Sequence, residues 1–329
     1  MQAIHMVVRQ NGGITAGEWT SIELREILQN EQALVWIDVQ GEATLYKDLL
    51  GETIGVSQLI MEMIDEHVER AKFVERTNYC YLVVHGLEYD LAQDEARTPE
   101  VDIIFGKNFI VTVHRDPLAW LDELLQEAAE QDAEERIMSR GMGYLLYEIL
   151  DRQVDSYFPV LDSIDDVIDE LEDITINDTS NAVQVRIFRI KRALAQMRRV
   201  ISPQVEVASA MRSRSDHLIA EELQPYFISM HDHLLRAFEI LDSYRDLMSG
   251  LLDVYLTTVS NRLNAIMKQL AIIATIFLPI TFITGVFGQN FGHSPQVEHD
   301  MGYNFWVVLA IMVVITIGQI WYFRRRKWL

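Results

Sequence analysis

Two long uncharged stretches near the C-terminal end constrain the fold of this chain more than any other feature. Leu270 to Phe287 has 18 residues without a charged side chain, and Phe305 to Phe323 has 19. Each is close to the ~20 residues that an α-helix needs to cross the hydrocarbon layer of a bilayer. Only 17 residues separate them, and the basic run Arg324 to Lys327 follows the second directly. The sequence therefore predicts two transmembrane helices.

The charges around these stretches predict their orientation. Residues 288–304 contain no Lys or Arg, whereas residues 324–329 form a basic tail, and Lys and Arg concentrate on the cytosolic side of a membrane. Residues 1–11 lack the long apolar stretch of a signal peptide. Both termini are therefore expected in the cytosol, with the chain in the plasma membrane, which is the inner membrane of a bacterium.

Charge is distributed unevenly along the chain. Of 28 basic and 49 acidic residues, only the four of Arg324 to Lys327 and the two acids Glu298 and Asp300 lie beyond residue 269, so the preceding residues carry a net charge of −23. Such a surface concentrates cations and argues against binding of nucleic acid. The single cysteine, Cys80, excludes an internal disulfide and a Cys-rich zinc site.

Neither a Gly-rich phosphate loop nor a Gly-x-Ser-x-Gly or His-Glu-x-x-His motif occurs in the sequence. The chain is therefore not expected to be an enzyme. No cofactor is expected either, and divalent cations are the expected ligands.

The remaining pattern predicts the order of the domains. Five β-rich runs indicate strands, the last two joined as a hairpin: Ile4–Val8, Ala33–Val39, Tyr79–His85, Val101–Phe105 and Phe109–His114. Helical periodicity dominates from about Leu118. We predict a cytosolic α/β domain (1–142), an acidic helical hairpin (143–224), a stalk helix (225–269), the first transmembrane helix (270–287), an extracytosolic loop (288–304), the second transmembrane helix (305–323) and the tail (324–329).

The stalk and the first span are predicted to form one helix, because no proline occurs between Pro225 and Pro279. Apart from the adjacent pair Leu270 and Ala271, residues on one face of this helix recur at steps of three or four, and most are polar or small. They are Asp253, Thr257, Ser260, Asn264, Met267, Leu270, Ala271, Ala274, Leu278, Thr281 and Gly285. Within a bilayer, such a stripe suits either close helix packing or a water-lined pore. A pore would need several copies of the chain, since two helices enclose no passage.

Pro279 interrupts the hydrogen bonding of the first span. Proline has no backbone N–H, so the carbonyl of Thr275, four residues earlier, loses its helical donor. This predicts a bend or local hydration at Thr275.

The motif Phe287-Gly288-Gln289-Asn290 lies at the outer end of the first span, and the chain finishes Trp328-Leu329 after its basic run. These features, with Ser249 to Leu256 and Ala271 to Pro279, resemble the CorA family of magnesium transport proteins, whose motif is Tyr-Gly-Met-Asn. The resemblance implies an α/β/α sandwich, a long stalk helix and two C-terminal transmembrane helices in a funnel-shaped homopentamer. Five first spans would line the pore, and Mg2+ would be transported, with Co2+ or Ni2+ tolerated.

The resemblance also implies roles for particular residues. Gly288, Gln289 and Asn290 would form the selectivity filter, and the stripe would line the pore, with Met267, Leu270 and Leu278 as apolar constrictions. Glu298 and Asp300 in the loop would attract cations. Asp162, Asp165, Asp166 and Asp169 are candidates for a regulatory metal site that gates the channel, although a solvated helix face is the more common role for any single acid of such a run. The basic tail is expected to contact lipid of the bilayer.

Two alternatives remain open because the motif departs from the magnesium pattern. Phe287 replaces Tyr and Gln289 replaces Met. A related zinc-carrying branch, the ZntB-like proteins, varies at the position of Gln289, so Zn2+ is an alternative substrate. A membrane-anchored cation sensor or scaffold that does not conduct is the other alternative.

Overall fold

A computed structural model of the chain describes residues 3–10, 13–17, 19–42, 47–66, 70–130, 137–212, 220–288 and 301–328. The chain divides into two units, Met1–Leu252 and Asp253–Leu329.

The first unit is built on a seven-stranded sheet with the strand order β2-β1-β3-β9-β8-β5-β4. Strands β3 and β9 run parallel, and the other neighbouring pairs are antiparallel. Two further strands, β6 and β7, form a separate hairpin. The strands are β1 (Ala3–Gln10), β2 (Gly13–Gly17), β3 (Leu34–Gln40), β4 (Lys72–Glu75), β5 (Tyr79–His85), β6 (Glu88–Asp90), β7 (Glu95–Arg97), β8 (Glu100–Gly106) and β9 (Phe109–His114).

The five predicted strands are confirmed as β1, β3, β5, β8 and β9, and the predicted hairpin joins β8 to β9. They carry the strongest apolar patterns, and every residue of β5 and β8 is buried. The short edge strands β2 and β4 were not predicted. Each has at most five residues and a mixed burial pattern, so the periodic signal is weak.

Helices cover both faces of the sheet, which confirms the α/β/α sandwich. On one face pack α1 (Ser21–Gln29), a π-helical turn (Leu49–Ile54) and α2 (Gln58–Glu66). The other face is covered by α4 (Met142–Asp155) beside α3 (Ala119–Ala129). A short 3-10 turn (Met138–Arg140) precedes α4.

A capping box explains where α1 begins. The Thr20 hydroxyl accepts a hydrogen bond from the Glu23 backbone N–H at 3.4 Å, and the Glu23 carboxylate accepts one from the Thr20 backbone N–H at 2.9 Å.

A buried polar network joins the sheet to the helices. The carbonyl of His85, at the end of β5, accepts hydrogen bonds from the Tyr157 hydroxyl at 2.5 Å and from Gln153 Nε2 at 2.7 Å. Gln204 Oε1 accepts from the same two side chains, each at 3.1 Å. Because buried polar groups are costly unless they are paired, this network specifies where the helices meet the strand.

The region predicted as an acidic hairpin contains α4 and two longer helices, α5 (Tyr157–Asn177) and α6 (Asn181–Arg212). The acidic character belongs to α5, which has seven Asp or Glu residues and no basic one, whereas α6 has seven basic residues and one acid. Arg186 of α6 bonds Glu170 of α5 at 2.8 Å and Asp94 at 3.2 Å. An ion pair between oppositely charged residues therefore joins α5 to α6.

Helix α7 runs unbroken from Gln224 to Gly288, directly after a 3-10 turn (Glu221–Leu223). Its 65 residues give a length of about 98 Å at ~1.5 Å per residue. The second unit contains the end of this helix and α8 (Met301–Arg325). Both helices have segments long and apolar enough to cross a membrane, with mean hydropathies of 2.3 and 2.1.

We predict that Tyr157→Phe lowers the free energy of unfolding of the first unit by about 1–2 kcal/mol, because the buried network loses a donor. Ser163→Ala is the control, since this hydroxyl on the same helix is exposed and bonds only the Pro159 carbonyl. It should change stability by less than about 0.5 kcal/mol. A urea titration of the full chain in detergent, followed by far-UV circular dichroism, measures both. Equal effects of the two variants would contradict the role of the network.

Candidate functional site

The predicted filter lies at the end of α7, and Gly288 is the last residue of this helix. Gly288 is exposed, and a Cβ added to it would meet no atom within 4 Å. Gln289, Asn290, Glu298 and Asp300 lie outside the described residues. Of the predicted filter and loop residues, the structure therefore locates Gly288 alone.

The predicted stripe on α7 is exposed along its whole length. All eleven of its residues, from Asp253 to Gly285, are exposed in the single chain. The three bulky members, Met267, Leu270 and Leu278, are 59%, 66% and 70% exposed. The second unit therefore leaves this face of the helix uncovered.

The opposite face of the first span packs within the chain. Ile272 is buried and Ile276, Ile280 and Ile283 are partly buried. At ~100° per residue, Ala274 lies about 200° around the helix from Ile272, so the stripe points away from this packed face. The second span of the same chain therefore packs on the face of the first span that is opposite the stripe.

Two threonines of the stripe have hydroxyl groups whose protons are already engaged. Thr257 donates to the carbonyl of Asp253 at 2.8 Å, and Thr281 donates to the carbonyl of Phe277 at 2.9 Å. The oxygen of each hydroxyl keeps lone pairs for accepting hydrogen bonds. Such oxygens suit the water molecules around a hydrated cation, which donate hydrogen bonds outward.

Two hydrogen bonds join α7 to α8 and to the basic tail, and one of them lies between the two spans. Gln319 Nε2 donates to the carbonyl of Thr275 at 3.0 Å. Lys268 Nζ donates to the carbonyl of Lys327 at 3.1 Å and lies 5.7 Å from the Trp328 ring centroid. The sequence predicted a bend or hydration at Thr275, and the structure instead provides a protein donor. Sequence reasoning missed both contacts, because they join residues that are 44 and 59 positions apart.

The stalk part of α7 is held against α6 by charged groups. Asp242 accepts from Arg198 Nε at 2.8 Å and from Arg245 Nη1 at 2.7 Å. Lys191 Nζ donates to Ser249 Oγ at 3.1 Å. These contacts fix the stalk on the hairpin up to three residues before the boundary between the units.

The four aspartates proposed for regulation are all exposed on α5. Burial of Tyr244, together with the nearby carboxylates of Asp165, Asp162 and Asp169, raises the pKa of its hydroxyl to about 12. Three of the four therefore face the stalk helix. In the part of the chain that the structure describes, no three His, Cys, Asp or Glu side chains converge as a metal site.

Thiol labelling tests whether the stripe faces water. We expect Ala274→Cys to react with a charged methanethiosulfonate reagent in membranes, because only a hydrated thiol ionises readily. Ile273→Cys, which projects from the neighbouring face, and Ile272→Cys, on the packed face, should react at least ~10-fold more slowly. The native Cys80 is buried and gives little background. Equally slow reaction at residues 273 and 274 would contradict a wet stripe.

Comparison with known proteins gives a consistent result. Residues 31–325 match the family model described as CorA-like Mg2+ transporter protein. The chain is 34% identical over 317 residues to the cobalt/magnesium transport protein CorA of Thermotoga maritima, covering 95% of this chain and 89% of that protein. It is 24% identical over 313 residues to the zinc transport protein ZntB of Pectobacterium atrosepticum, covering 95% and 93%.

Solved structures show the same fold. The complete structure of the CorA magnesium transporter from Methanocaldococcus jannaschii matches with a TM-score of 0.84 at 23% identity, covering 99% of this chain and 98% of that one. The full-length CmaX protein matches with a TM-score of 0.77 at 20% identity and the same coverage. The family match over most of the chain, the relative at 34% identity and the two apolar helices lead to one conclusion: the chain is a transmembrane protein of the CorA-like Mg2+ transporter family, a family of divalent cation transporters.

Proposed function

We propose that this chain forms a channel for divalent cations, most favourably Mg2+, whose pore is lined by the first spans of five identical subunits. The observation that carries the proposal is the stripe of α7, which is exposed from Asp253 to Gly285, while the opposite face of the first span is buried or partly buried from Ile272 to Ile283. Polar groups such as Thr281 are costly against lipid tails. Five copies around an axis remove this stripe from lipid and place it along a water-filled passage.

The proposed filter is formed by the Gly288 carbonyl with the carboxamides of Gln289 and Asn290. Mg2+ gives up its water reluctantly and prefers octahedral coordination by oxygen. A ring of amide oxygens accepts hydrogen bonds from the water shell without stripping it. Glu298 and Asp300 add negative charge in the same extracytosolic loop, and Co2+ or Ni2+ is tolerated because the first contacts are with water.

The proposed gate is formed by the apolar members of the stripe, Met267, Leu270 and Leu278. Rings of such side chains close a narrow pore by excluding water, because an ion then has no solvent. The polar positions Asn264 and Thr281 keep water on either side of the constrictions, and Asp253 places carboxylates at the cytosolic entrance.

Gating by cytosolic cation follows from the charge of −23 on residues 1–269. Subunits of this charge repel each other unless divalent ions bridge them. The exposed acids of α5, Asp162, Asp165, Asp166 and Asp169, are the proposed regulatory positions. No intrachain cluster forms among the described residues, so the proposed site needs ligands from two subunits.

The proposed location is the plasma membrane, the inner membrane in bacteria, with both termini in the cytosol. The basic residues 324–327 favour that side, where they contact the phosphates of lipids.

Zn2+ transport is the second candidate. It is favoured by the presence of Gln289 where the magnesium motif has Met and by the zinc transport protein among the relatives. A non-conducting cation sensor or scaffold is the third, because the Gln289 change lies at the proposed filter.

Ion uptake into liposomes that contain the purified chain tests the function. We expect Mg2+ uptake to exceed Zn2+ uptake, and Asn290→Ala to reduce Mg2+ uptake at least ~10-fold because the filter loses its ring of amide oxygens. Asn261→Ala, at an asparagine of α7 away from the stripe, is the matched control and should conduct normally. Preferred Zn2+ uptake would indicate the second candidate, and no divalent uptake would indicate the scaffold. Normal uptake by Asn290→Ala would refute the assigned filter.

The gate makes a separate prediction. At a cytosolic Mg2+ concentration that closes the wild-type channel, Leu278→Ser should raise residual conduction by about threefold or more, because a hydroxyl at the constriction retains water. Ile273→Ser, five residues earlier and on another face, controls for a polar group added to the same span. Single-channel or flux recordings measure both variants. If Leu278→Ser stays as tightly closed as the wild type, the constriction lies elsewhere.

A further inference from the structure

The carbonyl of Thr275, in the middle of the first span, loses its helical hydrogen-bond donor because of the sequence itself. Its donor would be the N–H of residue 279, which is proline. The hydroxyl of Thr275 does not replace it, since it donates to the carbonyl of Ala271 at 2.7 Å. In a bilayer, an unpaired carbonyl costs several kcal/mol unless a neighbouring group or water reaches it.

Gln319 of α8 reaches this carbonyl from the second span. Its Nε2 lies 3.0 Å from the Thr275 oxygen, which is a normal hydrogen-bond length. Gln319 is the only carboxamide among residues 305–323. An isolated carboxamide is unfavourable in a transmembrane helix, so its presence calls for a compensating contact.

The carboxamide oxygen of Gln319 helps to identify this compensating contact. Gln319 Oε1 is buried and has no hydrogen-bond partner among the residues that the structure describes. An apolar side chain of similar size would fill this space without burying an unpaired oxygen. Within the chain, the bond to the Thr275 carbonyl is therefore the contribution that distinguishes Gln319 from a leucine or methionine.

The bond also lies at a mechanically sensitive point. Proline is the usual place at which a helix bends, and the bond holds the turn that precedes Pro279. The segment that follows Pro279 carries Thr281 and Gly285 of the stripe and ends at Gly288. Lys268, at the end of the stalk, bonds the carbonyl of Lys327 in the basic tail, so this second contact also lies before Pro279 on α7.

We propose that Gln319 is a positioning residue for the ion pathway. By satisfying the Thr275 carbonyl, it fixes the proline turn of the first span against the second span and stabilises the arrangement seen here over one in which the segment after Pro279 is bent differently. This inference rests on the proposed function, since it assigns Gln319 to the equilibrium between conducting and closed arrangements of the pore.

A double-mutant cycle tests the proposal. Gln319→Met keeps the length and approximate volume of the side chain but removes the donor. Pro279→Ala restores a backbone N–H to the Thr275 carbonyl and so makes the Gln319 donor redundant. Thr316→Val is the matched control, because the Thr316 hydroxyl bonds the Met312 carbonyl of its own helix at 2.8 Å.

The first measurement is the cytosolic Mg2+ concentration that halves conduction in liposomes. We expect Gln319→Met to shift this concentration by about three- to tenfold, the factor that corresponds to one hydrogen bond between membrane helices. In the Pro279→Ala background, Gln319→Met should shift this concentration by less than about twofold. Thr316→Val should also shift it by less than about twofold, with either residue at position 279. Equal shifts in the two backgrounds, or no shift in either, would overturn the proposal.

The second measurement is the midpoint of thermal unfolding of the reconstituted chain, which does not depend on transport. Gln319→Met should lower this midpoint in the wild-type background and leave it unchanged with Pro279→Ala. Absence of this coupling refutes the contact itself, whereas absence of divalent conduction by the wild-type chain refutes the proposed function. The two failures are therefore distinguishable.

Discussion

A polar and small-sided stripe on a membrane helix has to be covered by something other than lipid, and this constraint organises the molecule. The eleven stripe residues of α7 are exposed in the single chain, and the second span packs on the opposite side of the helix, around Ile272. Hydrocarbon solvates such groups poorly. The exposed stripe is therefore the physical reason for proposing an assembly, and a ring of identical helices covers it while leaving space for water.

The rest of the chain supports the helix that carries the stripe. The sheet binds α4, α5 and α6 through the network around the His85 carbonyl, and α6 in turn holds the stalk through Arg198 and Asp242. The stalk and the first span belong to the same unbroken helix. The ion pair of Arg198 with Asp242 is modest by itself, since exposed ion pairs contribute about 1 kcal/mol or less. Together these contacts hold the part of α7 before Asp253 against the rest of the first unit.

The features that were predicted from the sequence are those encoded by local periodicity. The two spans, the long helix and the five central strands each repeat an apolar pattern over several turns or residues, so a single stretch of chain suffices to identify them. The basic character of α6 was visible in the sequence but was obscured by treating residues 143–224 as one acidic hairpin. The loss of the helical donor to the Thr275 carbonyl was also predictable, because the effect of Pro279 is local.

The partners of these local features were not predictable, since they are set by the tertiary fold. Nothing near Thr275 in the sequence indicates that Gln319 will reach it, and nothing near β5 indicates that Gln153 and Gln204 meet at the His85 carbonyl. The filter residues Gln289 and Asn290 remain assigned by resemblance, because they lie outside the described residues.

The threonines of the stripe affect whether the proposed pore favours cations or anions. The hydroxyl groups of Thr257 and Thr281 each donate their only proton to a carbonyl of their own helix. What these positions present is therefore an oxygen that accepts hydrogen bonds and donates none. In the proposed pore, a chloride or phosphate ion would therefore find no hydrogen-bond donor in the hydroxyls of Thr257 and Thr281, whereas the outward-pointing hydrogens of a hydrated metal ion would find acceptors there. Rejection of anions can thus begin at uncharged side chains, without the cost of placing a carboxylate in the bilayer.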